Sequence, residues 1–176
     1  MSYNSGTNSQ GWTFTVLPDR ASVEAFGRRV AEFFRKLNRL SENPLARLLS
    51  PQLRAYYHDY HDRVTEGLRE YDLYNRDRLF HGAPALILIG SKEGKASCPV
   101  EDAILAAQNI LLSAEAMGLG TCMIGFAVEA LRHSAFVRAA IALPPDERIH
   151  AVIAVGYPAR RYARPAGRFP VTIRWR

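Results

Sequence analysis

Apolar side chains recur at helical spacing in the first quarter of the chain. They are Val23, Phe26, Val30, Phe33, Phe34 and Leu37. Residues three and four apart share one face of an α-helix, so this pattern predicts an amphipathic helix that runs to about Leu40. Asp19 or Ser22 can cap its start, and Asn43-Pro44 ends it because proline breaks a helix. Before it, WTFTVLP, from Trp12 to Pro18, alternates around aromatic and β-branched residues and predicts a short strand.

Two continuous apolar runs predict buried strands. They are PALILIG, from Pro84 to Gly90, and HAVIAVGYP, from His150 to Pro158. The first is bounded by proline and glycine and is expected to be buried on both faces. Between the two runs, Pro99 opens a predicted helix that extends to about Met117. This helix is apolar nearly all round, so we expect it to be buried in a core or in an oligomer interface.

The remaining segments carry weaker patterns. A helical region from about Leu45 to Leu73 is interrupted near Ser50-Pro51 and is the least core-like part of the chain. TCMIG predicts a short extended piece, and two short helices follow at about residues 128–132 and 135–141. VTIRWR resumes strand alternation at the C-terminus. With no internal repeat or long linker, residues 1–176 are interpreted as one α/β domain with an extended C-terminal arm from about residue 159.

Composition places the chain in the globular class. It has 176 residues, of which 48% are hydrophobic and 23% charged, and no apolar run approaches the roughly 18 to 20 residues needed to span a bilayer. No signal-peptide pattern occurs at the start of the sequence. Cys98 and Cys122 lie far apart without metal-ligand spacing, which suits a reducing cytoplasm.

The formal charge of +6 favours anionic partners. A nucleic acid is one candidate, but the sequence carries no nucleic-acid module signature. A phosphorylated small molecule is another, because the arginine fork donates two hydrogen bonds to phosphate. A solvated basic surface with no specific partner stays equally open.

The sequence lacks an acid/base or nucleophile set of its own. It contains no nucleophile elbow, P-loop or Rossmann fingerprint, and GLGTCMIG follows a predicted helix where a dinucleotide loop would follow a strand. His58 and Asp62 could share a helix face, but no third strong ligand is near, so no metal site is expected. If the protein is an enzyme, a cofactor is expected to carry the chemistry.

Several segments, taken in order, resemble the FMN-dependent nitroreductases and cover most of residues 5 to 170. They are SGTNSQGW with the strand TFTVLPDR, YNRDRLFHGAPALILIGS, EDAILAAQNILLSAEAMGLGTCMIGF, and ERIHAVIAVGYP with its arginine-rich tail. The resemblance implies an α+β fold, with three α/β/α layers around a mainly antiparallel sheet. It also implies an intertwined homodimer with flavin at the subunit interface.

The resemblance also implies which residues hold the cofactor. One group forms a loop lent by the partner subunit, a second reaches the pyrimidine side of the flavin, a third lies over its ring, and a fourth binds its phosphate. In that order they are Ser5, Gly6, Thr7 and Asn8; Asn75 and Arg78; Met123, Ile124 and Gly125; Arg168 and, less closely, Arg164. From the residues alone, Arg78 could equally be a surface arginine and Met123 a core side chain.

The implied activity is ping-pong transfer from NAD(P)H through FMN to a small-molecule acceptor such as a nitroaromatic or a quinone. Neither a nucleic acid nor a membrane is expected as a partner. The arginine-rich helix that usually precedes the small-residue loop is not found before Met1, and the chain looks most similar to the nitroreductase part of ferredoxin-fused members. The alternative is a catalytically silent relative that binds a flavin or another ligand on the same scaffold.

Overall fold

The computed structural model describes Ser5, residues 8–159, residue 167 and residues 169–175. Within them the chain forms four strands and seven helices. They are β1 (Trp12–Leu17), α1 (Arg20–Glu42), α2 (Pro44–Leu49), α3 (Pro51–Asp59), α4 (His61–Tyr74), β2 (Ala85–Lys92), α5 (Pro99–Ala116), β3 (Gly120–Met123), α6 (Gly125–His133), α7 (Ala135–Ala139) and β4 (Glu147–Gly156).

The four strands form one sheet in the order β1-β2-β4-β3, and every neighbouring pair is antiparallel. Trp12 at the start of β1 lies opposite Ser91 near the end of β2. At the other end of the sheet, Ala85 of β2 lies opposite Val155 of β4, and β3 pairs with that same half of β4. The two strands predicted as buried runs therefore occupy the centre of the sheet.

Helices cover both faces of this sheet, so the domain has three layers. Leu86 and Leu88 of β2 point into a core shared with α1 and α6. Ile89 of β2 and Ile153 of β4 point into a second core, where they meet alanines of α5. Because side chains alternate across a strand, one apolar run supplies both cores. The antiparallel three-layer α+β arrangement is confirmed.

The helical caps settle two points that the sequence left open. Asp19 is the N-cap of α1, since its Oδ1 accepts a hydrogen bond from the Ser22 N–H at 2.9 Å. The helical region after Asn43 is three helices, with the predicted break at Ser50 and a further break at Tyr60. Leu53 is its only buried residue among those described, in agreement with its weak core pattern.

Within one chain, the helix beginning at Pro99 is not buried nearly all round, so the core alternative does not account for its apolar surface. Small residues such as Ala103 and Ala107 face the sheet. Their size allows α5 to approach the strands closely. Several larger apolar side chains of α5 are exposed. They are Val100, Ile104, Leu105 and Leu112. The oligomer-interface alternative stays a prediction.

The strand predicted at VTIRWR is also not formed. Residues 171–175 adopt no regular secondary structure, and Val171, Ile173 and Trp175 are exposed. Alternating apolar residues form a strand only when a neighbouring strand supplies a hydrogen-bonding ladder. Residues 171–175 belong to no strand of the described sheet.

Candidate functional site

The loop between α4 and β2 is organised by one carboxylate. Asp77 accepts hydrogen bonds from the backbone N–H groups of Leu79, Phe80 and Gly82, at 2.9, 2.9 and 3.1 Å. Asn75 ends α4 in the left-handed conformation, with φ at 50°, which asparagine tolerates better than most residues. The backbone on both sides of Arg78 is therefore fixed by local hydrogen bonding.

Arg78 is anchored to α4 by two carboxylates. Its Nη1 lies 3.3 Å from Glu66 Oε2, and its Nε lies 3.4 Å from Glu70 Oε2. Arg76 shares the same Glu70 oxygen at 3.6 Å. The side chain of Arg78 is 48% exposed, whereas that of Glu70 is 19% exposed. The guanidinium can thus donate further hydrogen bonds to a ligand, although part of its charge is already balanced.

Residues 123–125, which we call the β3–α6 turn, present both a side chain and backbone groups to solvent. Met123 is 46% exposed on the edge strand, so it is not a core side chain. Ile124 is buried, and its N–H donates to the Val152 carbonyl at 2.8 Å. It is also the N-cap of α6 and offers no capping hydrogen bond from its side chain, so the N–H groups of the first turn remain available.

Gly125 leaves open space at the start of α6. A Cβ built at this position meets nothing within 4 Å. An exposed thioether, uncapped backbone N–H groups and open space beside them suit the edge of a flat aromatic ring, which needs both apolar contact and hydrogen-bond donors. The β3–α6 turn therefore leaves room for a flat ring beside Met123.

A cavity of about 680 Å³ is lined by one of the predicted groups and by the residue that follows the β3–α6 turn. It lies between α1, α4 and the 75–84 loop that connects α4 to β2, and Asn75 and Arg78 both line it. Phe126, which directly follows the β3–α6 turn, lines it as well. Sequence reasoning missed Phe126, although its place after Gly125 in MIGF was the available signal.

Phe126 belongs to an aromatic cluster that connects α6 with α1 and α3. Its ring packs edge-on against buried Phe34 at 5.4 Å between centroids and against Tyr60 at 5.8 Å. Tyr56 stacks on both Phe34 and Tyr60. Tyr56 is held in turn by Asn38, whose Oδ1 accepts its hydroxyl hydrogen at 2.5 Å. The cavity wall at Phe126 is thus fixed by packing.

The N-terminal loop lies at the opposite end of the sheet. Ser5 accepts hydrogen bonds from the N–H groups of Asn8 and Gln10, and the Gln10 side chain donates to Asn8 Oδ1 at 3.0 Å. The loop continues to Gly11, whose carbonyl accepts from the Lys92 N–H at the end of β2. The 75–84 loop enters the other end of β2, whose eight residues span about 23 Å.

One chain therefore does not bring Ser5 and Asn8 to Asn75 and Arg78. The other four predicted residues, Gly6, Thr7, Arg164 and Arg168, lie outside the described residues.

The histidines singled out in the sequence have ordinary partners. His58 pairs with Asp59, while His61 pairs with Asp62 and Glu42. In the described ranges no three His, Cys, Asp or Glu side chains converge as a metal site. Cys98 and Cys122 are free thiols, and none of the described helices is long and apolar enough to cross a membrane.

His150 forms a pair with Ser91 at the end of the sheet away from the cavity. Its Nε2 lies 2.8 Å from Ser91 Oγ. Partial burial lowers the pKa of His150, and the nearby cations Arg132 and Arg148 act in the same direction. The imidazole is therefore expected to be neutral in the folded protein at pH 7.

Comparison with known proteins adds a family and a set of folds. The sequence model described as the nitroreductase family matches residues 2–157. Among curated proteins, none is found to be similar.

Solved structures with the same fold include FMN-bound nitroreductases. One from Bacteroides fragilis has 20% identity and a TM-score of 0.64, over 97% of this chain and 80% of that one. Another, from Desulfitobacterium hafniense, has 17% identity and a TM-score of 0.62, over 94% and 76%. An FMN- and NADPH-dependent nitroreductase from sphigopyxis sp. strain HMH has 18% identity and a TM-score of 0.57, over 94% and 80%.

Proposed function

Because this chain belongs to the nitroreductase family, we propose that it is an FMN-dependent oxidoreductase that uses NAD(P)H to reduce an acceptor such as a nitroaromatic or a quinone. FMN is bound in similar structures, and one relative is described as NADPH-dependent. The β3–α6 turn carries the proposal, because its exposed Met123 and open Gly125 suit a flat ring.

Bound FMN would supply hydride acceptance and electron donation, and the protein would supply position and electrostatics. The first-turn N–H groups of α6 would donate to the edge of the ring, and Met123 would pack against it. Asn75 and Arg78 would donate to the polar side of the flavin. Arg164 and Arg168, in the arginine-rich tail, remain the residues proposed for the phosphate.

We further propose that the active form is a homodimer, as two exposed apolar surfaces suggest. One surface is on α5, where Val100, Leu105 and Leu112 are at least half exposed. The other is the C-terminal arm, whose Phe169 and Trp175 are almost fully exposed. Exposed apolar area of this extent is typical of protein interfaces. A second copy would also place its Ser5–Asn8 loop at this chain's cofactor, which the same chain's loop cannot reach.

A flavin titration of matched arginine variants tests the site. Arg78 and Arg76 both line the cavity and both contact the same Glu70 oxygen, but only Arg78 matches a flavin-contacting position, so Arg76→Gln is the control for Arg78→Gln. We expect Arg78→Gln to weaken FMN binding roughly two- to tenfold, the range for one partly exposed charge-assisted hydrogen bond. Arg76→Gln should change it by less than about twofold.

The same titration separates the proposal from its rival. Equal effects of the two variants would remove Arg78 from the flavin site. A wild-type chain that binds FMN but never transfers electrons from NADH or NADPH would be a catalytically silent relative. A chain that binds no FMN even in excess would refute the oxidoreductase function.

A further inference from the structure

The cavity between α1 and α4 has the size and lining of a ligand site within a single chain. Its volume of about 680 Å³ falls within the roughly 300 to 1,000 Å³ typical of small-molecule pockets. Its deep surface is apolar, with Val23 and Phe80 almost fully buried beneath it. Phe34 and Phe126 contribute aromatic surface at right angles to each other, which suits a planar ring.

Two glycines within helices keep this space open. Gly27 lies inside α1 and Gly67 inside α4, and both line the cavity. A Cβ at Gly27 would lie 3.4 Å from the Phe80 ring, whereas a Cβ at Gly67 would meet only Arg78 Cβ at 3.9 Å. Glycine is the weakest ordinary residue for a helix interior apart from proline. Any side chain at Gly67 would occupy cavity volume.

One cation on the cavity wall has no carboxylate partner in the described chain. Among the other charged lining residues, Arg20 lies near Glu24, while Arg76 and Arg78 pair with carboxylates of α4. Asp77 accepts three backbone hydrogen bonds. Arg63 lines the cavity and forms no ion pair with any described residue. It is therefore available to an anionic group on a ligand.

From this arrangement, we infer that the cavity binds a planar aromatic molecule with one anionic substituent, which contacts Arg63 while its ring packs beside Phe126. The cavity adjoins the β3–α6 turn through Phe126, so the same molecule can reach the proposed flavin. That it serves as the electron acceptor rests on the proposed function, whereas its binding does not.

Calorimetric titration with 2-naphthoate and with uncharged 2-naphthamide tests the inference on the full chain. Wild-type protein should bind 2-naphthoate more tightly than 2-naphthamide. Gly67→Leu should weaken both probes at least roughly tenfold by filling the cavity. It should not lower the urea midpoint, because leucine is a better helix former than glycine.

Charge variants on α4 test the anionic preference. Arg63→Gln should weaken 2-naphthoate about two- to fivefold, as expected for an exposed ion pair, and leave 2-naphthamide unchanged. Arg69→Gln, on the same helix but outside the cavity, should alter neither. Equal wild-type affinity for the two probes would refute the anionic substituent. Absence of binding, or unchanged affinity in Gly67→Leu, would overturn the site itself.

The outcome is distinguishable from that of the proposed function. If the protein binds 2-naphthoate but no FMN, the cavity site is supported and the oxidoreductase function is refuted. If the protein reduces menadione with NADPH but is neither bound nor inhibited by 2-naphthoate, the oxidoreductase function is supported and the cavity site is refuted.

Discussion

Replacing Phe126 by alanine should affect both stability and ligand binding. Phe126 is 37% exposed, so about two-thirds of the residue is buried, mainly against Phe34 and Tyr60. Truncating a fully buried phenylalanine to alanine lowers the free energy of unfolding by about 3 to 5 kcal/mol. With two-thirds burial, Phe126→Ala should lower it by about 2 to 3 kcal/mol. Urea unfolding would measure this loss. The removed ring also forms part of the cavity wall, so 2-naphthoate should bind at least roughly fivefold more weakly.

Phe136→Ala is the matched control. Phe136 is 40% exposed, and its ring packs under Arg29, whose Cζ lies 4.5 Å from the ring centroid. Its truncation should cost a similar amount, about 2 kcal/mol, but Phe136 does not line the cavity. If both variants weakened 2-naphthoate equally, the effect would come from general loosening of the fold. If Phe126→Ala retained full affinity, its assignment to the site would be wrong.

Three further predictions concern the rest of the fold. Tyr56→Phe should lower the free energy of unfolding by about 1 to 3 kcal/mol, measured in urea, because buried Asn38 Oδ1 loses its donor. Because the pKa of His150 is lowered in the folded protein, the unfolded chain protonates His150 at a higher pH than the folded chain does. Stability should therefore decline as pH falls below about 6.5, and His150→Gln should flatten that part of a urea-midpoint profile against pH. Gly90→Ala should lower the thermal midpoint, because its Cβ would lie 2.5 Å from the Arg148 carbonyl oxygen.

The sequence predicted the sheet well because its central strands are unmistakable. Runs of apolar residues bounded by proline and glycine leave few alternatives to buried strands, and both runs became the central strands β2 and β4. The start of α6 was harder to predict. Its periodic pattern begins near Val128, but the helix starts at Gly125, where the preceding N–H group bonds to Val152. That contact is tertiary and leaves no local signal.

The candidate site was predictable only in part. Resemblance indicated Asn75, Arg78 and the β3–α6 turn, and in the structure Asn75, Arg78 and Phe126, which follows that turn, line one cavity. The resemblance could not indicate that Glu66 and Glu70 would hold Arg78, because those ion pairs depend on how the loop returns to α4. Nor could it reveal the cavity, which depends on the spacing of two helices. For α5, periodicity gave the apolar positions but not which of them would remain exposed.

Anaerobic addition of NADPH to the FMN-reconstituted protein tests the central claim most directly. The account predicts about one FMN per chain, loss of the visible flavin absorbance when NADPH is added, and its recovery when menadione follows, as ping-pong transfer requires. Bound flavin whose absorbance is unchanged by both NADPH and NADH would contradict the proposed oxidoreductase.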